Sequence, residues 1–540
     1  MENIRLIQIN TTTFDIEGNL SKITQRISET SSKNIVLQNY AITGGFFENV
    51  FERYPILLKN QMRALEKLAS VYADKVIISG AVFKEGDKFV NRGVILKNGK
   101  VKMIDLSESF DFAGLKTSIC LDRAFENSGT DLIISLFPYL SKTNEEYKRN
   151  SELSNMASKN NAYVIQVNPI GGNDEFSFDG SSRMYDKDGK LLLRAEFFNE
   201  DSVDTENLQI KSMPKGLDKK QNFSLDYEND LERTYLSAIQ SIKDYFSKNG
   251  LKKAVLGLSG GLDSTICAVL LTKALGRENV LGVSMPSKIT TDLSKQDGYQ
   301  LAQNLKIDYK EIPISPVVDA LKTNLNFECD WLDKCEKSFA MDNFQARTRA
   351  TILYGISNEC RASIPVATSD KSEAYMGYAT INGDMSGGFA PIADVTKSKL
   401  FALAKYINKN IENVIPESVI NKRPGAELAI NPKTNKPLLA EEALMPYDFL
   451  DEVIFRIEVL HQDFDELKCA EFEYEKTHKD TQKEEWLKKF FKRMLGASCK
   501  GYLMPVAPIS DENSINKAIY RAPVTSKMKF YDLKGVLWNH

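Results

Sequence analysis

One seven-residue run, Ser259-Gly260-Gly261-Leu262-Asp263-Ser264-Thr265, constrains this 540-residue chain more than any other. It follows an apolar segment, Ala254-Val255-Leu256-Gly257-Leu258, that reads as a buried parallel strand. It leads into Ile266-Cys267-Ala268-Val269-Leu270-Leu271, which reads as an apolar helix. A strand, a loop of small residues and a helix start place backbone N–H groups and a positive helix end around a phosphate. The two glycines allow close backbone approach, the hydroxyls of Ser259, Ser264 and Thr265 add donors, and Asp263 suits a divalent cation. The loop holds no lysine, so it is not the lysine-bearing P-loop.

Composition narrows the remaining options. Seventy basic against 73 acidic side chains leave a net charge of −3, which gives no electrostatic reason to expect a nucleic-acid partner. No apolar run approaches the roughly 18 residues that would span a bilayer, and Met1-Glu2-Asn3-Ile4 reads as a first strand, not a leader. Seven scattered cysteines with no C-x-x-C pair fit free thiols in a reducing cytoplasm and argue against a structural zinc. The three histidines are His461, His478 and His540. The first 460 residues therefore hold no Ser-His-Asp or Cys-His unit of their own, and a nucleophile there must rely on Lys, Glu or Asp.

Alternation of short apolar strands with polar helices predicts an α/β layered domain over residues 1–209. Ile4–Ile9, Asn34–Leu37, Lys75–Ile78, Val94–Leu96, Thr117–Cys120, Leu132–Ser135 and Tyr163–Val167 read as strands, Gln61–Ala73 and Asn144–Lys159 as helices. Residues 210–225 are polar, with Pro214, Gly216 and a Lys-Lys pair, and read as a linker. A second α/β unit fills 226–540: the helix Leu231–Lys248, the loop strand, and further strands at Val280–Ser284, Lys310–Ile314 and Ile364–Ala367. That is a doubly wound pattern with its ligands at the carboxyl ends of the strands. Residues 441–500 read as charged and helical, and 473–492 as a solvated helical face.

The loop resembles the SGGxDS loop of the ATP pyrophosphatases. Four further segments narrow the resemblance: Met285-Pro286-Ser287-Lys288, Asp342-Asn343-Phe344-Gln345-Ala346-Arg347-Thr348-Arg349, Thr368-Ser369-Asp370-Lys371-Ser372-Glu373 and Gly377-Tyr378-Ala379-Thr380-Ile381-Asn382-Gly383-Asp384. With Arg423-Pro424-Gly425-Ala426-Glu427-Leu428 and Phe491-Lys492-Arg493, they make residues 226–540 resemble NAD synthetases, which amidate nicotinic acid adenine dinucleotide (deamido-NAD). The resemblance implies an ATP site of Leu258, Ser259, Gly260, Gly261, Leu262, Asp263, Ser264, Thr265, Ser287, Thr368 and Lys397. It implies a deamido-NAD site of Asn343, Arg347, Glu373, Tyr378, Ala379, Thr380, Ile381, Asp384 and Lys492, with Mg2+ on Asp263 and Glu373. Gly425 stands where the family usually has Ser or Thr, and Asp370 where it usually has Asn or His. The family commonly pairs its synthetase domains, which implies a homodimer or larger assembly. Other amidating or thiolating ATP pyrophosphatases are alternatives, but the first pair with different amidotransferase domains and the second favour added cysteines and a basic surface. A silent ATP- or dinucleotide-binding regulator is a third reading, and it has little need of two Mg2+ carboxylates.

The first domain resembles the nitrilase-type glutaminases that feed ammonia to such synthetases. Ala41-Ile42-Thr43-Gly44, Ser118-Ile119-Cys120-Leu121-Asp122 and the run from Asn168 to Ser182 carry that likeness. Nitrilase chemistry uses a Cys nucleophile, a Glu base and a Lys that stabilises the oxyanion. The resemblance makes Cys120 the nucleophile. The base position holds Asn39, an amide with no useful basicity, in Leu37-Gln38-Asn39-Tyr40. Lys102 fits the lysine position only across a one-residue deletion, Lys100 is an alternative, and Glu108 fits the second acid loosely. Two readings follow: a glutaminase with Cys120 served by another carboxylate such as Glu108, or an inactive domain attached to an enzyme that takes free ammonia.

Overall fold

The computed structural model describes residues 1–514 except 46, 106, 126–128, 218, 220–226, 228–229, 326–338, 426–433, 435–437, 479–481, 502 and 512–513. The chain divides into two compact units, Met1–Lys220 and Gln221–His540. Part of the expected linker, and Ala426-Glu427-Leu428, lie outside the described residues.

The first unit is built on two six-stranded mixed sheets. One runs in the order Asp201–Asp204, Ile4–Gln8, Asn34–Leu37, Val76–Glu85, Lys88–Lys97, Lys100–Ile104. The other runs Leu191–Arg194, Arg183–Tyr185, Tyr163–Gln166, Leu132–Ser135, Leu115–Cys120, Phe110–Phe112. Strand alternation assigns each face. In the first sheet Ile4, Leu6, Val36, Ile78 and Ile95 meet Ile119, Leu132, Ile134 and Ile165 of the second. The opposite face, with Ile7, Ile35, Leu37 and Ile77, packs on Leu20, Ile23, Leu65 and Leu68 of the helices Ile16–Ser28 and Ile56–Val71. The outer face of the second sheet, with Cys120, Ile133 and Val164, packs on Leu153, Met156 and Ala157 of the helix Glu145–Asn160. Helix, sheet, sheet, helix is the nitrilase-like sandwich. Several of its late strands escaped the sequence reading, including Leu191–Arg194 and Asp201–Asp204, because each is only four residues long and the second is mostly polar.

A buried charge network ties that unit together. Arg149 donates to Glu146 and, at 3.0 Å, to Asp179, while Arg183 donates to Glu146 at 2.8 Å. Burial works against charge at Glu146, but Arg149 and Arg183 hold its carboxyl down to about 2. Burial pushes Asp179 up to about 6, with Arg149 pulling the other way and Glu146 repelling it.

The second unit carries a four-stranded, wholly parallel sheet in the order Asp308–Glu311, Val280–Ser284, Lys253–Gly257, Ser363–Pro365. The third and fourth strands are shorter than the sequence suggests, since the chain turns into loops at Ile312 and Val366. Helix Leu262–Leu275 is apolar all round and fully buried from Ile266 to Leu271, against helix Leu231–Lys248 and helix Lys397–Tyr406. The helical region beyond residue 440 has its own core of Phe449, Leu450, Val453, Phe472, Leu487 and Phe490. Charge-rich residues 473–492 are thus amphipathic, with Leu487 and Phe490 turned inward. Tyr474, Trp486 and Phe491 pack against the same core, so the charges had masked an apolar stripe. Among the described residues no helix is long and apolar enough to cross a membrane.

Candidate active site

The sheet order reverses between Lys253–Gly257 and Ser363–Pro365, so the loops after these two strands diverge and leave a crevice. A cavity of ≈ 240 Å³ opens there. Ser259, Gly261, Leu262 and Asp263 form its floor from one strand, Thr368, Ser369 and Glu373 from the other.

The loop is held by its own hydroxyls. Ser259 and Ser264 lie 3.1 Å apart through their Oγ atoms, and Gly261 N–H donates to Ser259 Oγ at 3.2 Å. Gly260 has a φ of +74°, and a Cβ there would lie 2.1 Å from the carbonyl oxygen of Ser294. Only glycine meets both demands. Gly261 caps helix Leu262–Leu275 with no side-chain bond, so the amide dipoles of the first turn face the cavity. Thr265 is buried under the loop.

Four charges converge beside this helix start. Lys397 Nζ, at the first turn of its helix, lies 2.7 Å from both carboxylate oxygens of Asp263, 2.7 Å from Asp370 and 3.1 Å from Glu373. One carboxylate oxygen from each of Asp263, Asp370 and Glu373 falls within 4.8 Å of the other two. Burial pushes Asp370 up to about 6 and Glu373 upward against the pull of Lys397, while the three carboxylates hold the Lys397 ammonium protonated. Asp370 also caps helix Lys371–Tyr375, accepting from Glu373 N–H at 2.8 Å.

A family model described as NAD synthase matches residues 235–496. The glutamine-dependent NAD(+) synthetase of Aquifex aeolicus is 34% identical over 516 residues, covering 84% of this chain and 88% of that protein. The chain belongs to the glutamine-dependent NAD(+) synthetase family. Two solved synthetases share the fold. The enzyme of Cytophaga hutchinsonii superposes with a TM-score of 0.78 at 17% identity, covering 97% of this chain and 98% of its own. That of Acinetobacter baumannii, solved with adenosine diphosphate, gives 0.68 at 22%, covering 96% and 97%.

Within this family member the remaining synthetase residues fall into three groups. Tyr378 and Asp384 line the cavity with Thr368. Behind them Thr380 Oγ1 donates to Asn343 at 2.8 Å, Thr380 N–H to Asp384 at 2.5 Å, and Arg347 to the Ile381 carbonyl at 3.2 Å. Ser287 and Lys492 do not line the cavity: Ser287 bonds Thr290, which does, and the side chain reaching Tyr378 is that of Arg493. Lys500 orders the Ala379 segment by donating to its carbonyl at 2.6 Å. The sequence reading passed over Lys295 and Lys422 and gave Arg423 no site role beyond its place in a family-like segment; all three add positive charge to the wall. The only available signal was the Lys422-Arg423 pair ahead of Pro424-Gly425. Gly425 lines the same wall.

The nitrilase-like unit of this synthetase presents a different picture. Cys120 is buried, its thiol directed at the Asp122 carbonyl at 3.0 Å, and burial pushes it up to about 11. Asn39 is buried and accepts from Tyr40 N–H at 3.0 Å. Lys102 stands on the edge strand Lys100–Ile104 with its side chain 62% exposed, 2.5 Å from Glu108. Among the described residues no hydrogen bond links Cys120 with Asn39, Lys102 or Glu108.

Proposed function

We propose that this chain makes NAD by ATP-dependent amidation of deamido-NAD, and that it takes its nitrogen from free ammonium. The observation that carries the first half is the convergence of Asp263, Glu373 and Lys397 beside a phosphate-shaped helix start at the switch point of a parallel sheet. The loop amides of Gly260 and Gly261 and the Ser259 hydroxyl would take the triphosphate, with Lys397 neutralising it. Thr368 would complete the ATP site, with Ser287 supporting it from outside the cavity through Thr290, and Asn343, Arg347, Tyr378, Ala379, Thr380, Ile381 and Asp384 would form the dinucleotide site, with Lys492 outside the cavity wall.

Asp263 and Glu373 would hold Mg2+, since hard oxygen donors on two elements and a net negative set suit that ion. Bound there, it would offset charge on the triphosphate. A carboxylate oxygen of the nicotinate attacks the α-phosphorus and pyrophosphate departs. Ammonia then attacks the acyl carbon of the adenylate, loses a proton, and AMP leaves as the amide forms. The side chains act through position and charge stabilisation.

Three placements support the ammonium half: an amide at the base position, a buried thiol bonded to a backbone carbonyl, and a lysine paired on an exposed edge. The first domain, taken as residues 1–209 within the Met1–Lys220 unit, is then a packing or assembly domain of a cytoplasmic homo-oligomer. The relatives named glutamine-dependent favour the other reading, in which Cys120 still hydrolyses glutamine.

Purified protein with ATP, Mg2+, deamido-NAD and ammonium should release NAD and AMP. No product at saturating ammonium sinks the synthetase reading. Glutamine alone should give none; turnover with glutamine that Cys120→Ala removes, sparing the ammonium reaction, would reverse the second half.

A further inference from the structure

The three carboxylates around Lys397 are not equivalent. Asp263 and Glu373 keep side-chain exposures of 23% and 18% and face the cavity, whereas Asp370 is 0% exposed. Asp370 also cannot swing: its other oxygen caps helix Lys371–Tyr375 through Glu373 N–H. Lys397 is itself anchored from behind, its backbone N–H donating to Ser372 Oγ at 2.9 Å and its ammonium lying 5.4 Å from the Tyr447 ring centroid. Lys397 holds both oxygens of Asp263 and Oε1 of Glu373, so a cation entering between these two side chains competes with the ammonium for them, and a buried ammonium left without a carboxylate is strongly unfavourable.

We propose that Asp370 is the standing counter-ion of Lys397, a positioning residue that keeps the ammonium at the triphosphate end of the cavity while Asp263 and Glu373 are released to a divalent cation. This rests on the proposed magnesium role of those two carboxylates. Without the Asp370 charge, Lys397 competes for the other two.

Asp370→Asn isolates the charge, because Asn caps a helix as well as Asp; Asp370→Ser is a second capping variant should Asn fail to fold. Mn2+ binding to the full chain, with a non-hydrolysable ATP analogue, is read by electron paramagnetic resonance. Either variant should bind Mn2+ about tenfold more weakly than wild type. In turnover the KM for ATP should rise more than kcat falls. In a Lys397→Met background most of that loss should vanish, leaving about twofold or less, since Asp370 acts through Lys397. Unchanged Mn2+ affinity reduces Asp370 to a helix cap and overturns the proposal. A full loss that persists without Lys397 also overturns it, making Asp370 a direct ligand. Wild-type protein that binds no Mn2+ removes the magnesium reading itself, and this one with it.

Discussion

At the scale of single residues, the chemistry separates by which side chains share a neighbour. Asp263 bonds the same ammonium as Glu373, so Asp263→Asn should lower ammonium-driven NAD formation by about 10²-fold or more, with little change in melting temperature. An effect under tenfold in a steady-state assay would remove Asp263 from the site. In the first unit Asn39→Glu alone should not produce glutamine turnover. The new carboxylate would stand on a buried loop while Lys102 still points to solvent on an edge strand. Release of glutamate from glutamine by that variant would show that the lysine is dispensable.

At the scale of elements, the phosphate loop depends on one backbone conformation. Gly260→Ala puts a Cβ on a residue with φ +74° and 2.1 Å from Ser294 O, at the start of the neighbouring helix Asp292–Leu305. The left-handed conformation alone costs about 1–2 kcal/mol, and relief of the clash must move the loop away from that helix. The variant should melt several degrees lower and show a KM for ATP raised by about tenfold or more. Wild-type values for both would show that the loop adapts. Helix Glu145–Asn160 supplies the matching case in the first unit, because it presents both Glu146 and Arg149 to the buried network.

At the scale of the whole molecule, that network makes the first unit's stability depend on pH in two opposed ways. Glu146 has a depressed folded pKa, so its contribution is full above its unfolded value near 4.3 and is lost as pH falls through about 2. Asp179 has a raised one, so its contribution is present below its unfolded value and lost as pH rises through about 6. Glu146→Gln should therefore destabilise the protein at pH 7 by about 3–5 kcal/mol, since it leaves two buried guanidiniums underpaired. Asp179→Asn should cost less at that pH. Equal losses in chemical denaturation at pH 7 would contradict this assignment.

Much of the fold was legible in local pattern. The strands Asn34–Leu37 and Leu132–Ser135 and the helix Leu231–Lys248 match the sequence reading residue for residue, because apolar periodicity is set by burial on one or both faces. In the first unit the strands after residue 170 were not legible, since pairing with distant partners, such as Ile4–Gln8 with Asp201–Asp204, stabilises short segments that carry little pattern of their own. The loop from Ser259 to Thr265 announced phosphate chemistry by itself, as glycines and hydroxyls between a strand and a helix admit few other uses. What the sequence alone determined was thus the ATP end of the reaction and the absence of histidine chemistry from the first 460 residues. Only the tertiary structure decided that Asp370 joins Asp263 and Glu373 around one ammonium, that Lys295, Lys422 and Arg423 line the same wall, and that Lys102 faces away on an edge. These are contacts between residues up to about 160 positions apart, set by sheet order and packing, to which local spacing is blind.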